Sequence, residues 1–172
     1  MQVKLISKKG IDYTQLHDLL TASKWKEADQ ETARVMRLAA DKKESDWLGS
    51  EDIQKIPCAD LQTINQLWLK SSNKRFGFSV QRCIYQEEGE GFGNLGKRLG
   101  WKKRNGDWVK TADVQWTIEA PEGYLPVGGS VVNKLRGEWL WGIEDLSNFL
   151  PVITSNSSNY SALMEKLANC NI

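Results

Sequence analysis

The sequence is poor in the residues and segments that define most functional classes. It has one histidine and three cysteines in 172 residues. No apolar run reaches the ~18–20 residues that a membrane-spanning helix needs, and the start of the chain lacks the apolar stretch of a secretory signal. The formal net charge of +1 gives no overall field that would attract nucleic acid or an anionic membrane. The length suits one globular domain with a real core.

Little is available from which a catalytic centre could be built. His17, the only histidine, lies in an apolar helical pattern, and we interpret it as a surface or core-edge side chain rather than an axial ligand or general base. Residues 89–96 are glycine-rich but follow no clear strand. The adjacent Glu87 and Glu88 would repel phosphate, so we expect no nucleotide-binding loop there.

The cysteines argue against a cross-linked or metal-bound protein. Cys58, Cys83 and Cys170 are odd in number and widely spaced, which predicts neither a disulfide framework nor a Cys-x-x-Cys metal pair. No base stands beside Cys58 or Cys83, and we interpret both as small core residues. The cysteine content therefore predicts a reduced protein of the cytosolic type.

Tryptophan is the residue type in excess. The eight Trp equal the four Tyr and four Phe combined, which is more than a core of this size needs. Each Trp supplies a large, flat apolar area with a single N–H donor. Trp25 and Trp68 lie on the apolar faces of helical patterns, and we expect both in the core. The excess over such core positions indicates a flat ligand.

One segment combines tryptophan with positive charge. Residues 97–110 hold six basic residues and one acid, a local charge of +5, and they include Trp101 and Trp108. Such a surface suits single-stranded nucleic acid, through stacking and phosphate contacts, or a tetrapyrrole, through ring stacking and cations on its propionates. The near-neutral net charge argues against nucleic acid. The remaining alternative is that both Trp anchor the core while the charges coat a helix and a turn.

Periodicity predicts many short helices and little strand. We expect N-caps at Ser23, Ser50 and Asp60, and a helix end at Gly100. The Asn105-Gly106 pair predicts a hairpin-like loop. The segment 76–85 fits either a strand or a helix, and residues 154–159 are typical of a linker. The expected helices span about 12–21, 24–40, 50–56, 60–68, 92–99, part of 131–150, and a final stretch that starts at Tyr160.

Several strings, in the right order over residues 11–127, are similar to the Genomes Uncoupled Four domain family. They include Trp25-Lys-Glu-Ala-Asp-Gln-Glu-Thr32, Ile56-Pro57-Cys58, Arg75-Phe-Gly-Phe-Ser-Val-Gln81, Leu99-Gly-Trp101 and Ala120-Pro-Glu-Gly123. The resemblance implies an all-α fold, a compact multi-helix domain shaped like a cupped hand, and makes 76–85 helical. It divides the chain into an N-terminal arm (1–10), a tetrapyrrole-binding domain (11–127) and a C-terminal tail (128–172) with one or two short helices.

The resemblance also implies a function. Members of this family bind protoporphyrin IX and magnesium protoporphyrin IX, and they regulate magnesium chelatase in chlorophyll biosynthesis through its large porphyrin-binding subunit. They are not enzymes and need no obligatory cofactor or protein-held metal. The expected setting is a cyanobacterial-type cytoplasm or a plastid stroma. A peripheral membrane association stays compatible with this assignment, whereas nucleic acid is not an expected partner.

In the family, an apolar hollow is floored by helices and rimmed by two loops. One loop here holds Trp47 and Leu48, and the other runs from Trp101 to Trp108. Packing is the alternative role for Phe78 and Val80, which belong to the matched strings. The expected ligand-binding residues are Trp101, Trp108, Lys102, Lys103, Arg104, Trp47, Leu48, Phe78 and Val80.

The sequence departs from the family pattern at two points within the matched region. The segment 86–91 is shorter than usual, and Tyr124 follows Pro-Glu-Gly where the family has histidine. No large accessory domain precedes Asp12. These departures keep an alternative open: a paralogue that binds a bilin, or acts as a protein-interaction module, without activating the chelatase. For the tail, a simple packing helix is the favoured interpretation.

Overall fold

The computed structural model describes residues 3–44, 46, 48–109, 111–127 and 157–172. These ranges contain seven α-helices, one 3-10 turn (Thr111–Asp113) and one isolated β-bridge, which confirms the all-α prediction. None of these helices is long and apolar enough to cross a membrane. The helices are α1 (Thr14–Thr21), α2 (Trp25–Ala39), α3 (Ser50–Lys55), α4 (Cys58–Ser71), α5 (Phe78–Glu87), α6 (Phe92–Leu99) and α7 (Ser157–Asn169).

The three predicted N-caps are wrong, although the helices themselves begin close to where they were expected. The N-caps are Lys24 for α2, Gly49 for α3 and Pro57 for α4. The Gly49 N–H donates to Asp52 Oδ2 at 3.1 Å, so a carboxylate inside the first turn does the capping instead of the Ser50 hydroxyl. Pro57 suits a helix start because its φ is fixed near the helical value.

Asp60, one of the expected caps, instead fastens the N-terminal arm to α4. Its buried carboxylate accepts hydrogen bonds from the Ser7 hydroxyl, the Lys8 N–H and the Tyr13 hydroxyl. Burial, together with the bond to Asp60, raises the pKa of Tyr13. The arm is therefore part of the packed domain.

The core between α1, α2 and α4 contains three stacked or edge-on rings, which we call the Trp25 cluster: Trp25, Trp68 and Phe76. The rings of Trp25 and Trp68 stack with centroids 6.0 Å apart, and Phe76 meets Trp25 edge-on at 5.7 Å. Trp68 is fully buried, and its Nε1–H donates to the Thr32 hydroxyl at 2.9 Å. The prediction that Trp25 and Trp68 are core residues is confirmed.

The segment 76–85 is helical, as the resemblance implied, and α5 covers most of it. Gly77, just before α5, has φ +139°, a value that side chains rarely allow, and its N–H donates to the Leu125 carbonyl at 3.1 Å. The buried Gln81 side chain donates to the Gly123 and Pro126 carbonyls at 2.9 and 2.7 Å. These bonds join the start of α5 to residues 123–126.

The final helix is confirmed as α7, and it packs on α3, α5 and α6. The Gln54 side chain of α3 donates to the Ala162 carbonyl at 2.9 Å, and Arg82 of α5 donates to the Ile172 carbonyl at 2.7 Å. Because α7 begins at Ser157, the linker expected over 154–159 is wrong for its last three positions. Residues 154–156 and the helix expected within 131–150, with Trp139 and Trp141, lie outside the described residues.

The expectation that the cysteines form no cross-link is wrong. Cys58 and Cys170 form a disulfide, with Cα atoms 5.2 Å apart, across 112 residues of sequence. It joins the first residue of α4 to the residue that follows α7. Cys83 is exposed on α5 and is not the core residue that we expected. Spacing along the chain did not reveal the pair because only the docking of α7 brings the two thiols together.

Candidate functional site

The segment after α6 forms the hairpin-like loop that Asn105-Gly106 predicted. Helix α6 ends at Gly100, with φ +83°, and Lys102 pairs with Trp108 in an antiparallel bridge. The Lys103 N–H donates to the Asp107 carbonyl at 2.7 Å, which closes the turn. We call residues 101–108 the tryptophan loop. It lies against α6, with its tip exposed.

Trp101 is not a rim residue, contrary to expectation. Its side chain is 1% exposed, and its Nε1–H donates to the Tyr124 carbonyl at 2.9 Å. Tyr124 is itself buried, and its hydroxyl accepts the Gln115 N–H at 3.2 Å. The backbone of Tyr124 therefore holds the buried Trp101 indole in place.

Trp108, in contrast, is half-buried at the other end of the loop. Its ring stacks on Phe92, with centroids 5.0 Å apart and planes inclined by 27°. It lies so close to α6 that a Cβ atom at Gly96 would be 2.6 Å from Trp108 Cζ3. The Lys102 ammonium stands 5.3 Å from the ring centroid, within cation–π range. Trp108 is therefore a half-buried indole with a cation beside its ring.

Five rings meet here, and we call them the aromatic cluster: Tyr85, Phe92, Trp101, Trp108 and Tyr160. Tyr160 of α7 is the centre, with ring centroids 5.4 Å from Phe92, 5.8 Å from Tyr85 and 5.9 Å from Trp101. The cluster therefore joins α5, α6, the tryptophan loop and α7. Tyr160 was expected only as a packing residue, and its periodicity with Leu163, Met164 and Leu167 predicted burial without indicating a site.

The Tyr160 hydroxyl is an exception to the usual pairing of buried polar groups. Among the described residues, it is the one buried side-chain oxygen or nitrogen atom that lacks a hydrogen-bond partner. Such an unpaired group costs about 1–3 kcal/mol. Burial raises the pKa of Tyr160 well above its usual value, so the group stays a neutral phenol.

The other expected rim loop, between α2 and α3, also reaches α7. Leu48 is buried, and its carbonyl accepts a hydrogen bond from the Asn159 side chain at 3.1 Å. Asn159 precedes Tyr160, so the two loops contact consecutive residues at the start of α7. Trp47, the other candidate in this loop, lies outside the described residues. Helix α7 therefore lies where the two loops that the sequence analysis singled out come together.

Phe78 and Val80 lie in the first turn of α5, away from these rings. Phe78 is buried in the core, and Val80 is half-buried beside Gly123. Tyr85 lies seven residues after Phe78, about 10 Å along the helix. In the described part of the chain, no ring contact joins Phe78 to the aromatic cluster. Their position favours the packing role that was the alternative for both residues.

The basic residues around the tryptophan loop differ in how they are paired. Arg98 lies 3.8 Å from Glu88, and Lys103 lies 3.3 Å from Asp113. Among the ion pairs of the described residues, none holds Lys102 or Arg104. These two cations are therefore free to meet an anionic group at the edge of the cluster.

Metal-binding side chains do not gather in the described ranges, where no group of three or more His, Cys, Asp or Glu could hold an ion. His17 is half-buried on α1, with Nδ1 2.9 Å from Asp18 Oδ1. This position agrees with the expected surface or core-edge side chain.

An apolar groove lies between the N-terminal arm and α4. This groove, of about 660 Å³, is lined by apolar side chains such as Leu69 and by Lys4, Lys70 and Lys74. Its lining residues include no aromatic ring. It therefore lacks the stacking surface that a flat ligand needs, and the aromatic cluster is the stronger candidate.

Comparison with known proteins agrees with this architecture. The family model for GUN4-like proteins matches residues 6–144. The chain is 38% identical to a Ycf53-like protein of Synechocystis over 136 residues, which is 77% of this chain and 56% of that protein. It is 29% identical to the chloroplastic tetrapyrrole-binding protein of Arabidopsis thaliana, over 73% of this chain and 50% of that protein. The chain thus spans about half the length of these relatives.

Solved structures share the fold. GUN4 from Chlamydomonas reinhardtii superposes with a TM-score of 0.72 at 27% identity, over 95% of this chain and 93% of that one. The ligand-free GUN4 of Arabidopsis thaliana superposes with a TM-score of 0.69 at 21% identity, over 90% and 95% of the two chains. By its sequence match over most of its length, this chain belongs to the GUN4-like family.

Proposed function

We propose that this protein binds a tetrapyrrole, protoporphyrin IX or its magnesium form, at the aromatic cluster. The observation that carries the proposal is the half-buried Trp108 stacked on Phe92, with Lys102 beside it and the exposed Arg104 in the same loop, in a chain of the GUN4-like family. A macrocycle contributes a large apolar face, which gains ~25 cal/mol per Å² on burial, while its propionates suit cations at the edge.

We further propose that the bound protein regulates magnesium chelatase, through the large porphyrin-binding subunit of that enzyme, and is not itself a catalyst. The family match supports a regulatory role, and the described residues offer flat rings and cations but no group of three or more His, Cys, Asp or Glu that could hold a metal ion. The named relatives come from a cyanobacterium and a chloroplast, which favours the corresponding cytoplasm or stroma as the setting. A bilin is the alternative ligand, since the same stacking surface accepts a linear tetrapyrrole.

A titration of the protein with protoporphyrin IX tests the binding proposal. We expect quenching of Trp fluorescence together with a shifted Soret band. Trp108→Ala removes the stacking face and should weaken binding at least about tenfold. Trp116→Ala is the matched control, because Trp116 is also half-buried but lies outside the aromatic cluster. The proposal would be refuted if protoporphyrin IX, magnesium protoporphyrin IX and biliverdin all failed to bind saturably at micromolar concentration.

The regulatory part needs a separate measurement. Purified protein is added to a reconstituted magnesium chelatase, and the rate of magnesium insertion is compared with and without Trp108→Ala. Stimulation by the wild type that falls with porphyrin affinity supports regulation through the bound ligand. Tight porphyrin binding without any stimulation would limit the function to tetrapyrrole binding, the alternative that the sequence left open.

A further inference from the structure

The aromatic cluster contains a donor that the folded chain does not use. Tyr160 is fully buried, and its hydroxyl has no hydrogen-bond partner in the described part of the protein. Its ring neighbours are Tyr85, Phe92 and Trp101. None of these side chains accepts a hydrogen bond from the Tyr160 hydroxyl, so folding withdraws the O–H group from water without compensation.

Other buried phenols of this chain are satisfied, which makes Tyr160 exceptional. The Tyr13 hydroxyl donates to Asp60 at 2.9 Å, and the Tyr124 hydroxyl accepts the Gln115 N–H at 3.2 Å. In these two cases, where the phenol serves packing alone, its hydroxyl has a hydrogen-bond partner within the fold. Phenylalanine would fill the place of Tyr160 without the cost of the hydroxyl, so the hydroxyl requires another explanation.

Tyr160 lies close enough to the surface for a ligand to reach it. Phe92 covers its ring at 5.4 Å, and Trp108 covers Phe92 at 5.0 Å. Both covering rings are half-buried, and the tip of the tryptophan loop is exposed. A flat ligand stacked on Trp108 is separated from Tyr160 only by the Phe92 ring, and a shift of Phe92 would open its path to the hydroxyl.

We propose that Tyr160 is a ligand-binding residue whose hydroxyl donates a hydrogen bond to a neutral acceptor of the tetrapyrrole, either an imine-type nitrogen of the metal-free macrocycle or a lactam carbonyl of a bilin. This inference rests on the proposed function. A propionate is the poorer partner, because a carboxylate buried among rings with one hydroxyl is not compensated. The propionates belong with Lys102 and Arg104 at the edge. In the unliganded protein the unpaired hydroxyl is then a stability cost that ligand binding removes.

The substitution Tyr160→Phe separates this role from packing, since it removes only the oxygen. We expect its affinity for protoporphyrin IX, for biliverdin, or for both to fall about three- to tenfold. The melting temperature of the unliganded protein should rise or stay unchanged. Tyr13→Phe is the control with the opposite pattern: its hydroxyl has a partner far from the site, so the melting temperature should fall while affinity stays the same.

If Tyr160→Phe binds both ligands as tightly as the wild type, the inference is wrong. It is also wrong if Tyr160→Phe destabilises the unliganded protein as Tyr13→Phe does, since the hydroxyl would then have a protein partner. If the wild type binds no tetrapyrrole, the proposed function fails first, and the titration shows this before any variant is compared.

Discussion

The Trp25 cluster and the aromatic cluster contain the same kinds of ring, but they differ in how deeply the rings are buried and in whether their polar atoms are hydrogen-bonded. In the Trp25 cluster the rings are buried, and the Trp68 N–H reaches the Thr32 hydroxyl. In the aromatic cluster Trp108 is half-exposed, and the Tyr160 hydroxyl has no partner in the described residues. A cluster that serves only stability closes its surface and pairs its polar atoms.

The difference shows how a ligand site can be told from a core made of the same residues. Ring content and ring spacing are similar, since stacked centroids lie 6.0 Å apart in one cluster and 5.0 Å in the other. The aromatic cluster differs from the Trp25 cluster in three features of the described residues: a half-buried tryptophan, a hydroxyl donor without a partner, and nearby cations without an ion-pair partner. Substitutions in one cluster, with the other cluster as the reference, test this difference.

Trp68→Ala should cost the most stability. The side chain is fully buried and stacked on Trp25, so its removal leaves a cavity and is expected to lower the free energy of unfolding by about 3–5 kcal/mol. Trp108→Ala, at the half-exposed position, should cost clearly less. Urea unfolding of both variants measures the contrast. Equal losses would mean that Trp108 is as structural as Trp68, and the comparison would fail.

Removal of the disulfide should come next. The double variant Cys58→Ser with Cys170→Ser, or the wild type under dithiothreitol, is expected to lose about 2–4 kcal/mol, because the cross-link restricts the unfolded chain. The loss should loosen α7, and hence Tyr160, before the Trp25 cluster. Hydrogen exchange along α7 and α4 measures this order. Cys83→Ser, at the exposed free cysteine, is the control and should have no effect.

Gly96→Ala tests the contact between Trp108 and α6. A methyl group there would lie 2.6 Å from the indole, so Trp108 must move outward, and porphyrin affinity should fall about three- to tenfold. Acrylamide quenching of Trp fluorescence should rise. Gly93→Ala on the same helix meets nothing within 4 Å and should stabilise the protein by up to about 1 kcal/mol, with unchanged affinity. Identical behaviour of the two variants would contradict the close contact.

Arg104→Gln should have the smallest effect. The side chain is exposed and has no ion-pair partner among the described residues. Its attraction for a propionate is therefore weakened by the surrounding water and screened by salt. Porphyrin affinity should fall about two- to threefold at low salt, and the difference should vanish at high salt. Lys26→Gln on α2, also exposed, is the charge-matched control. A salt-independent loss would place Arg104 in a buried contact instead.

Much of the architecture was readable from periodicity. The helix spacing of apolar residues predicted α1, α2, α4, α6 and α7, and it assigned Trp25 and Trp68 to the core, because burial of one helix face depends on local sequence. The caps were harder: several Ser, Asp and Gly positions near a helix start are locally equivalent. Only the positions of the arm and Tyr13 show that Asp60 holds the arm instead of capping α4.

The candidate site likewise has features set by the local sequence and features set by long-range contacts. The sequence alone determined that residues 101–108 form a turn with a tryptophan at each end amid positive charge, because turn residues and charges act locally. The tertiary structure decided which Trp is buried, since the Trp101 indole is held in place by the carbonyl of Tyr124, 23 residues away. It also brought α7 to the cluster, together with the Cys58–Cys170 bond and the unpaired hydroxyl of Tyr160. Contacts between residues so distant in sequence exist only once the chain has folded, and no local pattern encodes them.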